Sequence, residues 1–492
     1  MQMVDLEGTK HFAQFEILDS TKLNGEFTLK GAESYVRLYS TVEFKDWTAL
    51  QKCLLGTIPD GTKVSFIENS PRLRGKHFRA EGVMHYIEFR PRYVLLGNAH
   101  CNEKTAFTSA RLLVDDAATI FHDTRAFGYA KHPEQHIQSI LITDQEPGQD
   151  TILPDVDPAI AYFTGKYEIF SSPSDVGTVS ASHRISYSFG TPVGVSINTE
   201  IISIVDFGTA IPLPEVITYT HMLLRFLEIV AGRRQNILEA QVFIPGLTPK
   251  ALDIYLCMRP GRTAESKAPS AKDLPLNGGL DPEGFALVLT RWVGMDQSRR
   301  DARERFTGIF LKGHAYDIDR LVGAANMFDI LPDEAVPQVV SLTPELRSAR
   351  ENAKQLFKHL PNSPERDSAL SALGRLGRNS LKQKVRYRAG IVNAAASGHF
   401  ADLELVVDEA VNCRNHYVHG SYTKINYSEC FHPVVHFLTD TLEFVFAASE
   451  FIEAGWKFDT WTRNGTAMSH PWGRYVVNYR TNLAALRARL PS

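Results

Sequence analysis

The sequence predicts an α+β multidomain chain in which a β-rich first half precedes an all-helical second half. Three observations predict it. Up to about residue 258, apolar residues alternate over short stretches separated by turn residues, the period-2 pattern of half-buried strands. From 259 to 281 prolines and glycines crowd together, in Arg259-Pro260-Gly261-Arg262, Pro269, Pro275 and Asn277-Gly278-Gly279. Beyond 282 the apolar spacing changes to three and four, the period of helices.

The first half opens with a glycine turn at Leu23-Asn24-Gly25-Glu26-Phe27 and continues through Tyr35-Val36-Arg37-Leu38-Tyr39. Further strands are predicted at 64–68, 83–89, 105–114, 166–170, 184–189 and 195–205, with Pro59-Asp60-Gly61 and Ser172-Pro173-Ser174-Asp175 as turns. Short strands punctuated in this way point to a sandwich or an irregular barrel. A helix interrupts them from about Pro214 to Ala231, where Ile217, His221, Leu224 and Leu227 recur at helical spacing and Gly232 offers a C-cap. Strands resume at 237–244 and 251–258. In the second half, helices are predicted at 282–297, 300–311, 315–330, 344–360, 365–376, 379–396, 402–417, 434–454 and 475–490. Thr343 is placed to cap the fourth, with Pro344 in its first turn, and Pro433 stands similarly near the start of the eighth.

At 492 residues the chain has room for roughly two to four domains. Apolar residues make up 43% and charged residues 22%, the balance of a globular protein with a sizeable core. The formal net charge of -3 excludes a global field drawing the chain to nucleic acid, so an RNA partner must meet a local basic patch. The 5 cysteines (Cys53, Cys101, Cys257, Cys413, Cys430) lie far apart with no CxxC pair, which fits a reducing compartment. The opening Met1-Gln2-Met3-Val4-Asp5-Leu6-Glu7 has no basic segment followed by an apolar one, so no signal peptide is expected. No run approaches the ~18 uninterrupted apolar residues of a membrane helix, and a cytoplasmic protein without a membrane partner is expected. Neither GxxxxGK(S/T) nor GxGxxG occurs, so nucleotide hydrolysis has no support.

The sharpest chemical signal is Arg414-Asn415-His416-Tyr417-Val418-His419. Leu403, Val407, Ala410 and Val411 form an apolar stripe on the predicted helix 402–417, and Arg414 continues it. Burying an unpaired guanidinium is costly, so Arg414 needs a carboxylate, a phosphate or a domain interface. His419 follows five residues on. At about 100° per residue the two side chains stand about 140° apart on an unbroken helix. The helix must therefore end or bend, with Gly420 as the natural stop, unless a second subunit completes the site.

Arg414-Asn415-x-x-x-His419 resembles the RxxxxH signature of HEPN nucleases, including the polar residue after the arginine. The chain as a whole resembles the ApeA-like abortive-infection proteins of bacteria. In those, a β-rich N-terminal domain with an opening much like Leu23-Asn24-Gly25-Glu26-Phe27 precedes a C-terminal HEPN domain. Position adds weight to the short motif: it follows an amphipathic helix and precedes Gly420-Ser421 and a long apolar helix ending Phe451-Ile452-x-x-Gly455. The resemblance implies metal-independent RNA cleavage at the interface of a two-fold homodimer, without a cofactor, with Arg414, Asn415 and His419 as the catalytic residues. The residue chemistry agrees. RNA carries its own nucleophile, the 2′-OH. His419 can take that proton or give one to the leaving 5′-oxygen. Arg414 can clamp two phosphate oxygens as charge develops, and Asn415 can orient the histidine or bond the phosphate. The products would be a 2′,3′-cyclic phosphate and a 5′-hydroxyl. Many HEPN nucleases also carry an acidic residue on an earlier helix. Here Asn326 stands in the expected place, with Asp319 and Asp329 nearby.

Other residues admit competing readings. His416 either contacts RNA or hydrogen-bonds locally. The segment Arg375 to Arg388 holds Arg375, Arg378, Lys382, Lys384, Arg386 and Arg388 and no acidic residue. Arg378, Lys382 and Arg386 share a helical face that could follow an RNA backbone or simply face solvent. Zinc could draw on Cys413, His416, His419, Cys430, His432 and His436, but no finger spacing and no HExxH accompanies them. His100-Cys101 and the pair His132 and His136 lack completing partners. Phe44, Trp47, Tyr86, Phe89 and Tyr93 read as core or strand-face packing.

The domain reading follows: residues 1–260 form a β-rich sensing or regulatory domain, 261–281 a linker, and 282–492 the helical HEPN domain. An RNase free to act would damage its host, so the N-terminal domain is expected to restrain it until a trigger arrives, and the family resemblance implies that the trigger is phage-derived. The rival reading is a catalytically inactive HEPN dimer that binds RNA or a protein.

Overall fold

Alternation in the first half becomes a ladder of antiparallel strands. The computed structural model describes residues 6–17, 22–44, 47–80, 82–143, 158–192, 194–246, 251–259, 267–338, 342–463 and 468–490. The first strands are β1 (Lys10–Glu16), β2 (Lys22–Thr28), β3 (Tyr35–Ser40), β4 (Cys53–Thr57), β5 (Lys63–Ile67), β6 (Ser70–Arg79), β7 (Gly82–Arg90) and β8 (Tyr93–Gly97). They are followed by β9 (Ala106–Val114), β10 (Phe127–Lys131), β11 (Ala159–Phe163), β12 (Glu168–Ser174), β13 (Gly177–Thr191), β14 (Gly194–Pro212), β15 (Ile237–Phe243) and β16 (Leu252–Leu256). Strands β10 and β11 pair alone, and the others form a 14-stranded sheet in the order β12-β13-β14-β9-β15-β16-β8-β5-β4-β1-β2-β3-β7-β6. That order has two ends, β12 and β6, so among the described residues hydrogen bonding does not close it into a barrel.

Strands β1 to β5, β7 and β8 enclose one apolar core that includes Phe15, Phe27, Phe66, Phe89, Leu38 and Val64. Gly25 makes this core possible in a way the sequence misleads about. It lies inside β2, opposite Ala13 and Leu38, and not in a turn. A Cβ there would stand 2.7 Å from Phe15 Cε2, and one at Gly56 would stand 2.8 Å from Phe15 Cε1. The two glycines leave room for the Phe15 ring, the close approach for which strand glycines are kept.

Helix α1 (Leu213–Ala231) starts with Pro214 in its first turn and ends where Gly232 takes φ 66. The chain divides into compact units Met1–Val293 and Gly294–Ser492. Helix α2 (Pro282–Gly294) therefore lies with the strands: Phe285 meets the rings of Phe121, Phe170 and Phe226 at 5.3, 5.1 and 5.5 Å. From Lys267 on, the Pro/Gly-rich stretch is folded against this unit too, because Asp273, Leu274, Leu276 and Asn277 are buried there. Its opening, 260–266, lies outside the described residues.

The second unit is helical: α3 (Asp296–Gly308), α4 (Ile318–Asp329), α5 (Pro344–Lys358), α6 (Pro364–Arg375), α7 (Leu381–Ala395), α8 (Leu403–His419), α9 (His436–Glu453), α10 (Phe458–Arg463) and α11 (Pro471–Arg487). The Thr343 hydroxyl accepts from the Leu346 N–H and Pro344 follows it, the start the sequence predicts for α5. Pro433 also stands near a helix start: His432 before it is extended at φ -109, ψ 130, and the π turn Phe431–Val435 runs directly into α9 at His436. Helix α9 is buried over most of its circumference, the sign of a central helix, and α4, α7 and α8 pack on it. Its last turn carries Glu450, which accepts from Arg299, Arg303 and Arg388 at 2.7, 2.9 and 2.9 Å. No described helix is long and apolar enough to cross a membrane.

Candidate active site

The site grows from α8. Leu403, Val406, Val407, Ala410, Val411 and Cys413 are buried and fix this helix against α4, α7 and α9. Arg414, half-buried, continues the stripe toward α4. There its Nη2 donates to Asn326 Oδ1 at 3.1 Å. Its Nη1 lies 3.0 Å from Asn415 Oδ1 and 3.1 Å from His419 Nε2. The groups that helical geometry sets far apart thus meet within one chain, because the guanidinium is long enough to span the angle. The helix runs unbroken to His419 and stops there: Gly420 takes φ 63, ψ 25, and its N–H bonds the His416 carbonyl at 2.9 Å.

Donor chemistry fixes the histidine. A guanidinium can only donate, so His419 Nε2 accepts and the ring proton sits on Nδ1. Every partner of Arg414 is a neutral group, and among the described residues no carboxylate pairs with it. Its Nε is buried without a hydrogen-bond partner. The cation is therefore oriented but not neutralised, the condition in which it can engage an anion. Asp319 is exposed and Asp329 lies 3.8 Å from Lys384, so neither takes the place beside Arg414 that Asn326 fills.

The other predicted residues lie apart from this pair. His416 Nδ1 donates to the Ser421 carbonyl at 3.1 Å, and its ring packs by Tyr417 and Tyr427. Arg378, Lys382 and Arg386 do not share a helical face, since α7 starts at Leu381 behind the Ser380 cap and Arg378 precedes it. Arg378 is exposed. Lys382 Nζ lies 3.7 Å from Asp408 and bonds Asn412, while Arg386 grips Asp408 with two nitrogens and reaches Glu404 at 3.2 Å. Asp408 and Glu404 were the unrecognised partners, and their spacing of four on the neighbouring helix was the available signal.

The residues of the zinc reading do not converge: among the described residues no group of His, Cys, Asp or Glu is arranged to hold a metal ion. Burial pushes the Cys413 thiol up, away from the thiolate that zinc would need. His432 and His436 face each other, Nδ1 to Nδ1 at 3.1 Å, and His436 stacks on Tyr316 at 4.1 Å.

A helical bundle that ends one helix on a joined arginine and histidine has the make-up of a HEPN-type domain. Residues 322–460 match the family described as Apea-like HEPN, a span that starts inside α4 and includes Asn326, Arg414 and His419. The match covers this region alone, and a HEPN domain suggests a nuclease-type or RNA-related function in defence. No curated protein and no solved structure matches the chain.

Proposed function

We propose that the chain is a metal-independent endoribonuclease of the HEPN type, acting as a homodimer in the cytoplasm in anti-phage defence by abortive infection. The observation that supports this best is the 3.1 Å contact between Arg414 and His419 at a site where, among the described residues, no carboxylate pairs with the arginine. An RNA phosphate draws Arg414 off the histidine and frees the Nε2 lone pair. His419 then takes the 2′-OH proton while O2′ bonds to phosphorus and the P–O5′ bond breaks. The proton returns to the leaving 5′-oxygen, and a 2′,3′-cyclic phosphate remains. Asn415 and Asn326 hold the guanidinium in the plane that meets two phosphate oxygens. DNA lacks the attacking hydroxyl and is spared. Of the predicted RNA contacts, Arg378 is an exposed cation, whereas Lys382 and Arg386 must first leave Asp408. The β-rich unit is the restraint that a phage-derived trigger lifts.

The test is growth and RNA integrity in cells expressing wild type, Arg414→Ala or His419→Ala, with and without phage. Protection and cyclic-phosphate RNA ends from wild type alone support the proposal; mutants that protect as well as wild type overturn it. One observation favours a second reading, an inactive RNA- or protein-binding dimer: Arg414 faces Asn326 where many HEPN nucleases carry an acid. Arg414→Lys separates the two, since it keeps the charge but loses the bidentate fork. A nuclease loses most of its rate, and a binder weakens only mildly.

A further inference from the structure

We propose that the ribbon β6–β7, together with β3, is a binding face for single-stranded nucleic acid, separate from the HEPN site. The proposal starts from a row of flat groups crossing three strands. Arg37 on β3 lies over the rings of Tyr35 and Tyr86, 5.4 Å from each centroid. Tyr86 on β7 sits over Gly75 of β6, where a Cβ would stand 2.6 Å from Tyr86 Cζ. His77 of β6 stacks on Tyr86 at 4.9 Å and 22°. The row ends on the His77 ring, which is exposed and has no hydrogen bond among the described residues, so a nucleobase can extend the stack there.

The strand that ends the row also ends the sheet. Among the described residues β6 pairs only with β7, so no described strand covers its other edge. From Ser70 to Phe78 it carries Arg72, Arg74, Lys76 and His77 and no carboxylate, in a chain whose net charge is -3. Arg72 is drawn to Glu88 at 2.9 Å. Arg74 and Lys76 are exposed and have no carboxylate partner among the described residues. They alternate with Gly75 and His77, so they stand on the opposite face of the ribbon from the open ring, and both sets border the edge of β6 that no described strand covers. Charge on an edge strand commonly blocks edge-to-edge aggregation. That purpose would be defeated by Phe78 and Leu73, which are 76% and 49% exposed on the same strand. Exposed aromatic and apolar groups among unpaired cations are instead what a splayed single strand uses, bases on the rings and phosphates on the cations. Recognition is of base faces and phosphates, so it does not depend on a 2′-OH.

The test uses the full chain and a fluorescein-labelled oligothymidylate, which no 2′-OH chemistry can cleave. Anisotropy measures affinity, and ultraviolet crosslinking with peptide mapping measures place. Wild type is expected to bind, with crosslinks between residues 72 and 86. His77→Ala should weaken binding roughly tenfold by removing the stacking platform. Arg74→Glu with Lys76→Glu should weaken it further and lower the salt slope by about 1.4, the share of two phosphate contacts. All three side chains are exposed, and circular dichroism checks that the fold persists. Absence of binding, crosslinks confined to the helical unit, or folded variants with wild-type affinity and salt slope would each overturn the proposal. Because the probe is DNA, on which the proposed 2′-OH chemistry does not act, failure here leaves the nuclease proposal standing, and the reverse also holds.

Discussion

Arg414 is held by groups that cost little to leave. An aspartate beside it would bind the guanidinium through charge and compete with an incoming phosphate. Asn326 offers a neutral oxygen at 3.1 Å, which sets the direction of the fork without cancelling its field. Asn326→Ala is therefore expected to loosen the arginine and lower RNA-cleavage rate about tenfold, since a charge-assisted hydrogen bond contributes ~1.5 kcal/mol. The protein should unfold at nearly the wild-type temperature, because Asn326 is only half-buried. Single-turnover cleavage of a labelled RNA, beside a thermal melt, measures both; an unchanged rate would show that Asn415 and the helix alone orient Arg414. His416 illustrates how a motif residue can serve locally. Its bond to the Ser421 carbonyl ties down the chain just past the Gly420 stop and so keeps His419 at the end of the helix.

At the scale of elements, α9 carries the most consequential pairing in the helical unit. Glu450 is fully buried, and burial alone would raise its carboxyl. The guanidiniums of Arg303, Arg388 and Arg299 outweigh that and hold it below the usual carboxylate range. A carboxyl depressed on folding contributes stability in full above its ordinary value of 4.5, and loses it as pH falls through the lower folded value. Glu450→Gln keeps the shape but leaves buried cations undercompensated, at an expected cost of about 3–5 kcal/mol at neutral pH. Urea titrations of wild type and variant should converge below pH 4.5 as wild type loses its own advantage. A constant difference across that range would mean packing, not charge, is responsible. Which elements the sequence disclosed follows the same physics. The helices around Thr343 and Gly232 were legible because caps and apolar periodicity are local. The role of Gly25 was not, because the ring that requires it comes from Phe15 on another strand. The order of the sheet was not legible either, since β8 finds β16 and β9 finds β14 across long stretches of chain. In the site, Arg414 was legible as a cation continuing an apolar stripe, and His419 and Asn326 through the resemblance to HEPN nucleases, whereas the capture of Arg386 by Asp408 depends on how α7 faces α8.

For the whole molecule, the central question is whether one chain or two supply each proposed catalytic pair. The two-fold dimer implied by the family resemblance permits either arrangement. The distance from Arg414 to His419 within one chain is already that of a hydrogen bond, so no partner histidine is needed to complete the pair. Chains carrying Arg414→Ala and chains carrying His419→Ala can be co-expressed under different affinity tags and the mixed dimer isolated. If arginine and histidine act within one chain, every site in the mixed dimer lacks one of them, and RNA cleavage stays at background. If they act across the two-fold axis, one site per mixed dimer regains both, and an unsorted mixture should recover about a quarter of the wild-type rate. The expected outcome is background activity, with dimer formation verified by size-exclusion chromatography on the doubly tagged species. Recovered cleavage would instead mean that the intrachain contact is a resting state and that phosphate binding hands Arg414 to the opposite subunit.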